Sequence, residues 1–167
     1  MIGDRGAEHE SDRCDVTVIL PVRNEAGFIA GALTSIQRAA EQAPTVGVEI
    51  LVIDGASDDA TREVVAELAA GDPRIRLMDN PQQTVPHAMN LGIKAARGDV
   101  VIRLDGHAEL ESDYLVNALA ELSAHPECVC VGGPIANIGE DAISGAIAQA
   151  MSSSFGVGNA RFRTGGQ

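Results

Sequence analysis

Asp99-Val100-Val101-Ile102-Arg103-Leu104-Asp105-Gly106-His107 is the stretch whose reading decides the fold. Its apolar run ends in a carboxylate, a glycine and an imidazole, which predicts a buried strand delivering two metal-capable groups to a sheet edge. Immediately upstream, Thr84 to Arg97 has helical spacing, with Pro86 in the first turn and Gly98 at the C′ position. Helix followed by apolar strand is half of a βαβ unit, and the rest of the chain repeats the alternation. Asp15 to Val22 is apolar and β-branched on both faces, as a central parallel strand requires. Glu25 to Gln42 follows as a helix, with Phe28, Ile29, Leu33, Ile36 and Ala40 at helical spacing.

A second apolar run, Val48 to Ile53, closes on Asp54-Gly55-Ala56-Ser57-Asp58-Asp59, small and acidic residues suited to a turn and a helix cap. Thr61 to Ala70 continues as a helix that Gly71-Asp72-Pro73 stops, and Arg74 to Met78 is a short third strand. Beyond the opening stretch, Ser112 caps a helix running through Ala124. Cys128 to Val131 reads as a fifth strand, with both of its thiols in the core. The expected fold is therefore α/β, an open, mainly parallel sheet with helices on both faces.

Composition narrows the function. With 24 acidic against 12 basic residues the formal net charge is −12, so nucleic acid and anionic lipid are poor partners. Three cysteines, Cys14, Cys128 and Cys130, are too few and too odd in number for a disulfide framework. No apolar run reaches the ~18 residues needed to span a bilayer, and the polar start has no apolar signal core. A cytoplasmic protein is expected, with 1–13 as a disordered lead-in.

In an open sheet of this kind ligands bind beyond the carboxyl ends of the strands. Three of those ends carry Arg23-Asn24-Glu25, Asp54 and Asp105-Gly106-His107, so polar groups converge on one rim. The first turn has neither a G-x-G-x-x-G nor a P-loop pattern, so phosphates bound there need a cation instead of a glycine cradle. Alternatives stay open for single residues. Asp54 alone is as well suited to capping the next helix, and Arg103 to holding a carboxylate as to reaching a phosphate. The macrodipole accounts for Lys94 and Arg97 near the end of their helix.

Taken together, Val-Ile-Leu-Pro-Val-Arg-Asn-Glu (18–25), Ile-Leu-Val-Ile-Asp-Gly-Ala-Ser-Asp-Asp-Ala-Thr (50–61), and Asn90-Leu91-Gly92 through Ala96-Arg97-Gly98-Asp99 to Leu104-Asp105-Gly106-His107 resemble the donor half of family 2 glycosyltransferases of GT-A, Rossmann-like fold. Within that family the chain is most similar to exopolysaccharide enzymes of the succinoglycan glucosyltransferase type. The resemblance implies a nucleotide-sugar donor, in the first place a UDP-sugar, and a glycan or lipid-linked sugar acceptor. It places Asp54 against the nucleotide base, and Pro21, Arg23, Asn24 and Glu25 along base and ribose. Asp105 and His107 match the ends of the metal-binding D-x-D in a D-x-H variant, with Asp105 also on the nucleotide side. An imidazole ligand favours Mn²⁺ over Mg²⁺.

The resemblance further implies inverting transfer, with an Asp or Glu as general base and a Q-x-x-R-W acceptor segment, neither of which is recognisable in the chain. The expected organisation is a nucleotide-sugar-binding domain over 14–137 and the start of an incomplete acceptor side over 138–167, the chain stopping inside the fold. Apolar surface left uncovered there predicts self-association. The competing expectation is a non-catalytic nucleotide-binding module.

Overall fold

All seven residues of β1 (Val16–Val22) and all seven of β2 (Val48–Asp54) are buried. In the computed structural model, which describes residues 14–136, each of these strands has a parallel neighbour on both sides. β3 (Ile75–Asp79) pairs with β2 and β4 (Val100–Arg103) with β1, giving the order β3-β2-β1-β4. The path from β1 to β2 to β3 crosses the sheet in one direction, and β4 then returns to the far side of β1. Right-handed crossovers therefore put α1 (Ile29–Glu41) and α2 (Thr61–Gly71) on one face and α3 (Val85–Ala95) on the other.

The core follows the alternation of strand side chains. Ile19, Leu51 and Ile53 pack with Ala88 of α3, and Met78, Met89, Leu91 and Ala95 close around them. Val18, Leu20, Ile50 and Val52 point to the opposite face, equally buried, where α1 contributes Ile29, Leu33 and Ile36. Gly92 lets α3 approach the sheet, since a Cβ there would stand 2.6 Å from Ile19 Cγ2.

The amino ends of the strands are tied by a closed polar cluster. Glu49, 1% exposed, accepts from the Thr17 hydroxyl (2.7 Å), the Arg97 backbone N–H (2.5 Å) and Arg97 Nε (2.9 Å), with Arg76 Nη1 at 3.4 Å. Burial pushes the Glu49 carboxyl up, but these donors outweigh it and hold the group below its ordinary value. Gly98 N–H in turn donates to Thr17 Oγ1 at 3.0 Å.

Several expectations are corrected. β4 is not a buried strand: among the described residues it has β1 as its one neighbour, alternate residues are open, and Val101 is 41% exposed. The first helix begins at Ile29 rather than Glu25, because the N–H groups of Phe28 and Ile29 both fold back onto the Glu25 carbonyl in a turn. Gly98 is not a left-handed helix cap. α3 ends at Ala95, and Gly98 is needed because a Cβ would lie 2.6 Å from the Val16 carbonyl carbon and 2.7 Å from Thr17 N. Arg97 is past the helix and serves Glu49, so the macrodipole does not account for it.

Cys128 to Val131 forms no strand among the described residues. Cys128 N–H instead closes a turn onto the His125 carbonyl, and Cys128 and Cys130 are exposed. Contacts group the chain into two units, Met1–Leu115 and Val116–Gln167, the division falling within α4 (Tyr114–Ala124). The expected lead-in and the region from 138 on lie outside the described residues. Among those described, no helix is long and apolar enough to cross a membrane.

Candidate functional site

Strand order reverses between β1 and β4, the position at which open α/β sheets form a crevice. A cleft of about 230 Å³ lies there, beyond the carboxyl ends. Its lining comes from the carboxyl ends of all four strands and the loops that follow them. The turn after β1 is laced to the turn after β2: Asn24 N–H donates to Ser57 Oγ (2.9 Å), Asn24 Nδ2 to Asp58 Oδ1 (2.7 Å), and Asp58 N–H back to Asn24 Oδ1 (3.0 Å). Glu25 N–H donates to Thr61 Oγ1 (2.8 Å) and Ala26 N–H to Asp59 Oδ2 (3.1 Å). The hydrogen bond from the Thr61 hydroxyl, joined by the backbone N–H groups of Thr61 and Ala26, holds the Asp59 carboxyl below its ordinary value.

Asn24 and Ala56 adopt left-handed backbone, with φ of 56° each, as does Gln83 at 60° in the third loop. All three lie at this rim, where strained conformations commonly accompany function. Gly55 is the point where the loops meet: a Cβ there would stand 3.3 Å from the Val22 carbonyl and 3.5 Å from Gln83 Cα.

Of the residues expected at the site, Pro21, Arg23, Glu25, Asp105 and His107 line the cleft together, whereas Asn24 and Asp54 are not among its lining residues. Asn24 spends its amide on the neighbouring loop. Asp54 is 1% exposed and accepts from Ser57 Oγ (2.5 Å), Ser57 N–H (3.2 Å) and Arg62 Nη1 (2.7 Å). Arg62 bridges on to Asp79 Oδ1 at 2.8 Å, and the two carboxylates raise its guanidinium pKa further. Asp54 thus braces the turn after β2.

Asp105 is engaged through one oxygen: Arg103 Nε (3.0 Å) and Nη2 (2.9 Å) both reach Oδ1. Arg103 therefore holds a carboxylate, one of the two roles open to it from the sequence, and does so as an exposed residue. His107 Nδ1 lies 3.0 Å from Glu25 Oε1. The side chains of Asp105 and His107 are 44% and 60% exposed. A carboxylate oxygen and an imidazole nitrogen suit Mn²⁺, so this donor pair fits a divalent cation as two of its ligands. Among the described residues no three His, Cys, Asp or Glu side chains gather as a metal cage, so the remaining ligands would come from elsewhere.

Asn80 is a further residue of the cleft, one that no local motif marks. It follows β3 directly, lines the cleft and is 2% exposed. Its Nδ2 donates to the Thr84 carbonyl at 3.0 Å, which orients the amide and leaves Oδ1 buried without a partner. A buried acceptor without a partner, in a residue that lines the cleft, is a place for a water or a ligand donor to be taken up. Its available sequence signal was its place at a strand's carboxyl end.

Fold and cleft together define an open α/β domain with a polar cleft where its strand order reverses. The sequence model of Glycosyl transferase family 2 matches residues 17–164, and the chain belongs to that family. The chain is 29% identical over 151 residues to the succinoglycan biosynthesis protein ExoA of Rhizobium meliloti strain 1021, covering 89% of this chain and 44% of that protein. It is 32% identical over 132 residues to a dolichyl N-acetyl-α-D-glucosaminyl phosphate diacetamido-dideoxy-glucuronosyltransferase of Methanococcus voltae, covering 75% and 40%. The chain thus spans less than half the length of these relatives.

Among solved structures, a Pyrobaculum calidifontis mannosyltransferase in complex with GDP-Man and Mn²⁺ superposes with a TM-score of 0.61 at 29% identity, over 77% of this chain and 37% of that one. Residues 1–349 of TarS from S. aureus superpose with a TM-score of 0.58 at 19% identity, a likeness of fold, over 74% and 39%.

Proposed function

We propose that the chain is the donor-binding part of an inverting glycosyltransferase, taking a nucleotide-diphospho-sugar with a divalent cation held by Asp105 and His107. The observation that carries the reading is the convergence of Arg23, Asn80, Asp105 and His107 on one cleft where strand order reverses. Family membership supports sugar transfer, and the similar mannosyltransferase, in complex with GDP-Man and Mn²⁺, supports the class of donor and metal. A cation held there by Asp105 and His107 would supply positive charge to offset the negative charge of a departing diphosphate.

The chain's own residues do the rest. Arg103 orients Asp105, Arg23 adds positive charge to the wall, and Asn80 Oδ1 accepts from the nucleoside. Asp54 is proposed as a base contact; because Ser57 and Arg62 occupy its oxygens, a base would reach it in exchange for one of those bonds. UDP is the preferred nucleotide of this reading, Mn²⁺ the preferred metal, and a glycan or lipid-linked sugar in exopolysaccharide or cell-surface synthesis the acceptor. A cytoplasmic location and self-association belong to the same proposal.

Calorimetric titration with UDP and with GDP, each with and without Mn²⁺, tests it. Metal-dependent binding of one nucleotide in preference to the other is expected, and no heat with either nucleotide at millimolar concentration would overturn it. Binding without release of UDP from UDP-sugar would favour a non-catalytic donor module.

A further inference from the structure

We infer that Glu25 is the residue that positions His107, holding the proton on Nδ1 and leaving Nε2 as the ring nitrogen that faces a cation. The metal part of this inference rests on the proposed function; the tautomer part does not. A carboxylate only accepts hydrogen bonds, so an imidazole nitrogen 3.0 Å from Glu25 Oε1 is a stable neighbour only when it carries hydrogen. Which ring nitrogen remains for a metal is set in this way by the bond the other one makes.

Glu25 is built to hold that place. Its N–H is fixed by Thr61 Oγ1 at 2.8 Å, and its carbonyl accepts from Phe28 and Ile29, both at 2.9 Å. Its side chain is 20% exposed against 60% for His107, so the carboxylate is the more enclosed partner of the pair. Gly106 completes the arrangement. A Cβ at Gly106 would lie 3.1 Å from Glu25 Cγ and 2.9 Å from Val22 Cγ1, so the turn carrying Asp105 and His107 rests directly on the Glu25 stem. This accounts for glycine between the two ligand candidates, and it gives Glu25 a role on His107 beside the base-and-ribose role expected of it.

The test reads the imidazole in metal-free protein, by long-range ¹H–¹⁵N correlation in mildly alkaline buffer, with the His107 signals assigned by their loss in His107→Gln. The expected wild-type spectrum has His107 protonated at Nδ1. Glu25→Gln, whose amide oxygen still accepts, keeps that tautomer, whereas Glu25→Ala loses it. Mn²⁺ affinity measured by electron paramagnetic resonance falls about 10–100-fold in Glu25→Ala and less in Glu25→Gln. A wild-type His107 protonated at Nε2 would overturn the inference without any variant having to fold, as would unchanged tautomer and Mn²⁺ affinity in a folded Glu25→Ala. Failure of the wild type to bind any nucleotide would instead count against the proposed function while the tautomer assignment stood.

Discussion

The two ends of one sheet use the same kinds of residue in opposite ways. At the amino ends, Glu49 is sealed from solvent and its oxygens are shared among Thr17, Arg97 and Arg76. At the carboxyl ends, Asp105 and His107 are about half open, and among the described residues each has one side-chain partner, Arg103 and Glu25. A charge with every lone pair occupied inside the protein holds the fold together and meets a ligand only by giving up one of those bonds. A charge held from one side and open on the other can meet a ligand without first losing its place. The difference separates structural ion pairs from candidate ligands better than residue type or sequence spacing does.

The comparison breaks if mutations at the two ends cost the same. The largest stability loss is expected for Glu49→Ala, which strips the buried acceptor from Arg97, Arg76 and Thr17 and should cost about 3 kcal/mol, read as a lower urea midpoint. Next comes Gly98→Ala, whose methyl must displace the β1 backbone at 2.6–2.7 Å. A cost of about 2 kcal/mol is expected, and a neutral result would show that β1 and the turn before β4 move apart freely.

Asp72 extends the amino-end pattern to pH. Hydrogen bonds from Arg74, with help from Gln37, hold its carboxyl at about 2, below the ordinary 3.8. A depressed carboxylate pKa stabilises the fold above the ordinary value, and that contribution is lost as pH falls from 3.8 through about 2. Arg74 is 38% exposed, so screening limits the effect to about 1–2 kcal/mol. Acid unfolding of Asp72→Asn should lack this component; identical acid limbs for wild type and variant would remove Asp72 from the account. The smallest stability change, within about 0.5 kcal/mol, is expected for Asp105→Ala, because its ion pair with Arg103 lies at the surface.

Much of this was readable in the amino-acid order, and the exceptions share a cause. β1 and β2 announce themselves because burial on both faces demands near-continuous apolar runs, broken here only by Thr17 and Glu49 before the terminal Asp54, and the turns after β1, β2 and β4 stood out as polar groups at strand ends. What escaped was long-range. Glu49 meets Arg97 across 48 residues and Glu25 meets His107 across 82, and no local pattern encodes either pairing. Cys128 to Val131 alternates like a strand, but a strand also needs a neighbour, which alternation cannot supply. Asn80 has no local mark either, because its distinguishing property, an amide oriented by Thr84, depends on three-dimensional placement.

The most direct test of the contrast is titration of UDP into Asp105→Ala with and without Mn²⁺, alongside its urea midpoint. The account predicts a midpoint like that of the wild type and nucleotide binding that no longer responds to Mn²⁺. Full metal dependence in a folded Asp105→Ala would contradict it.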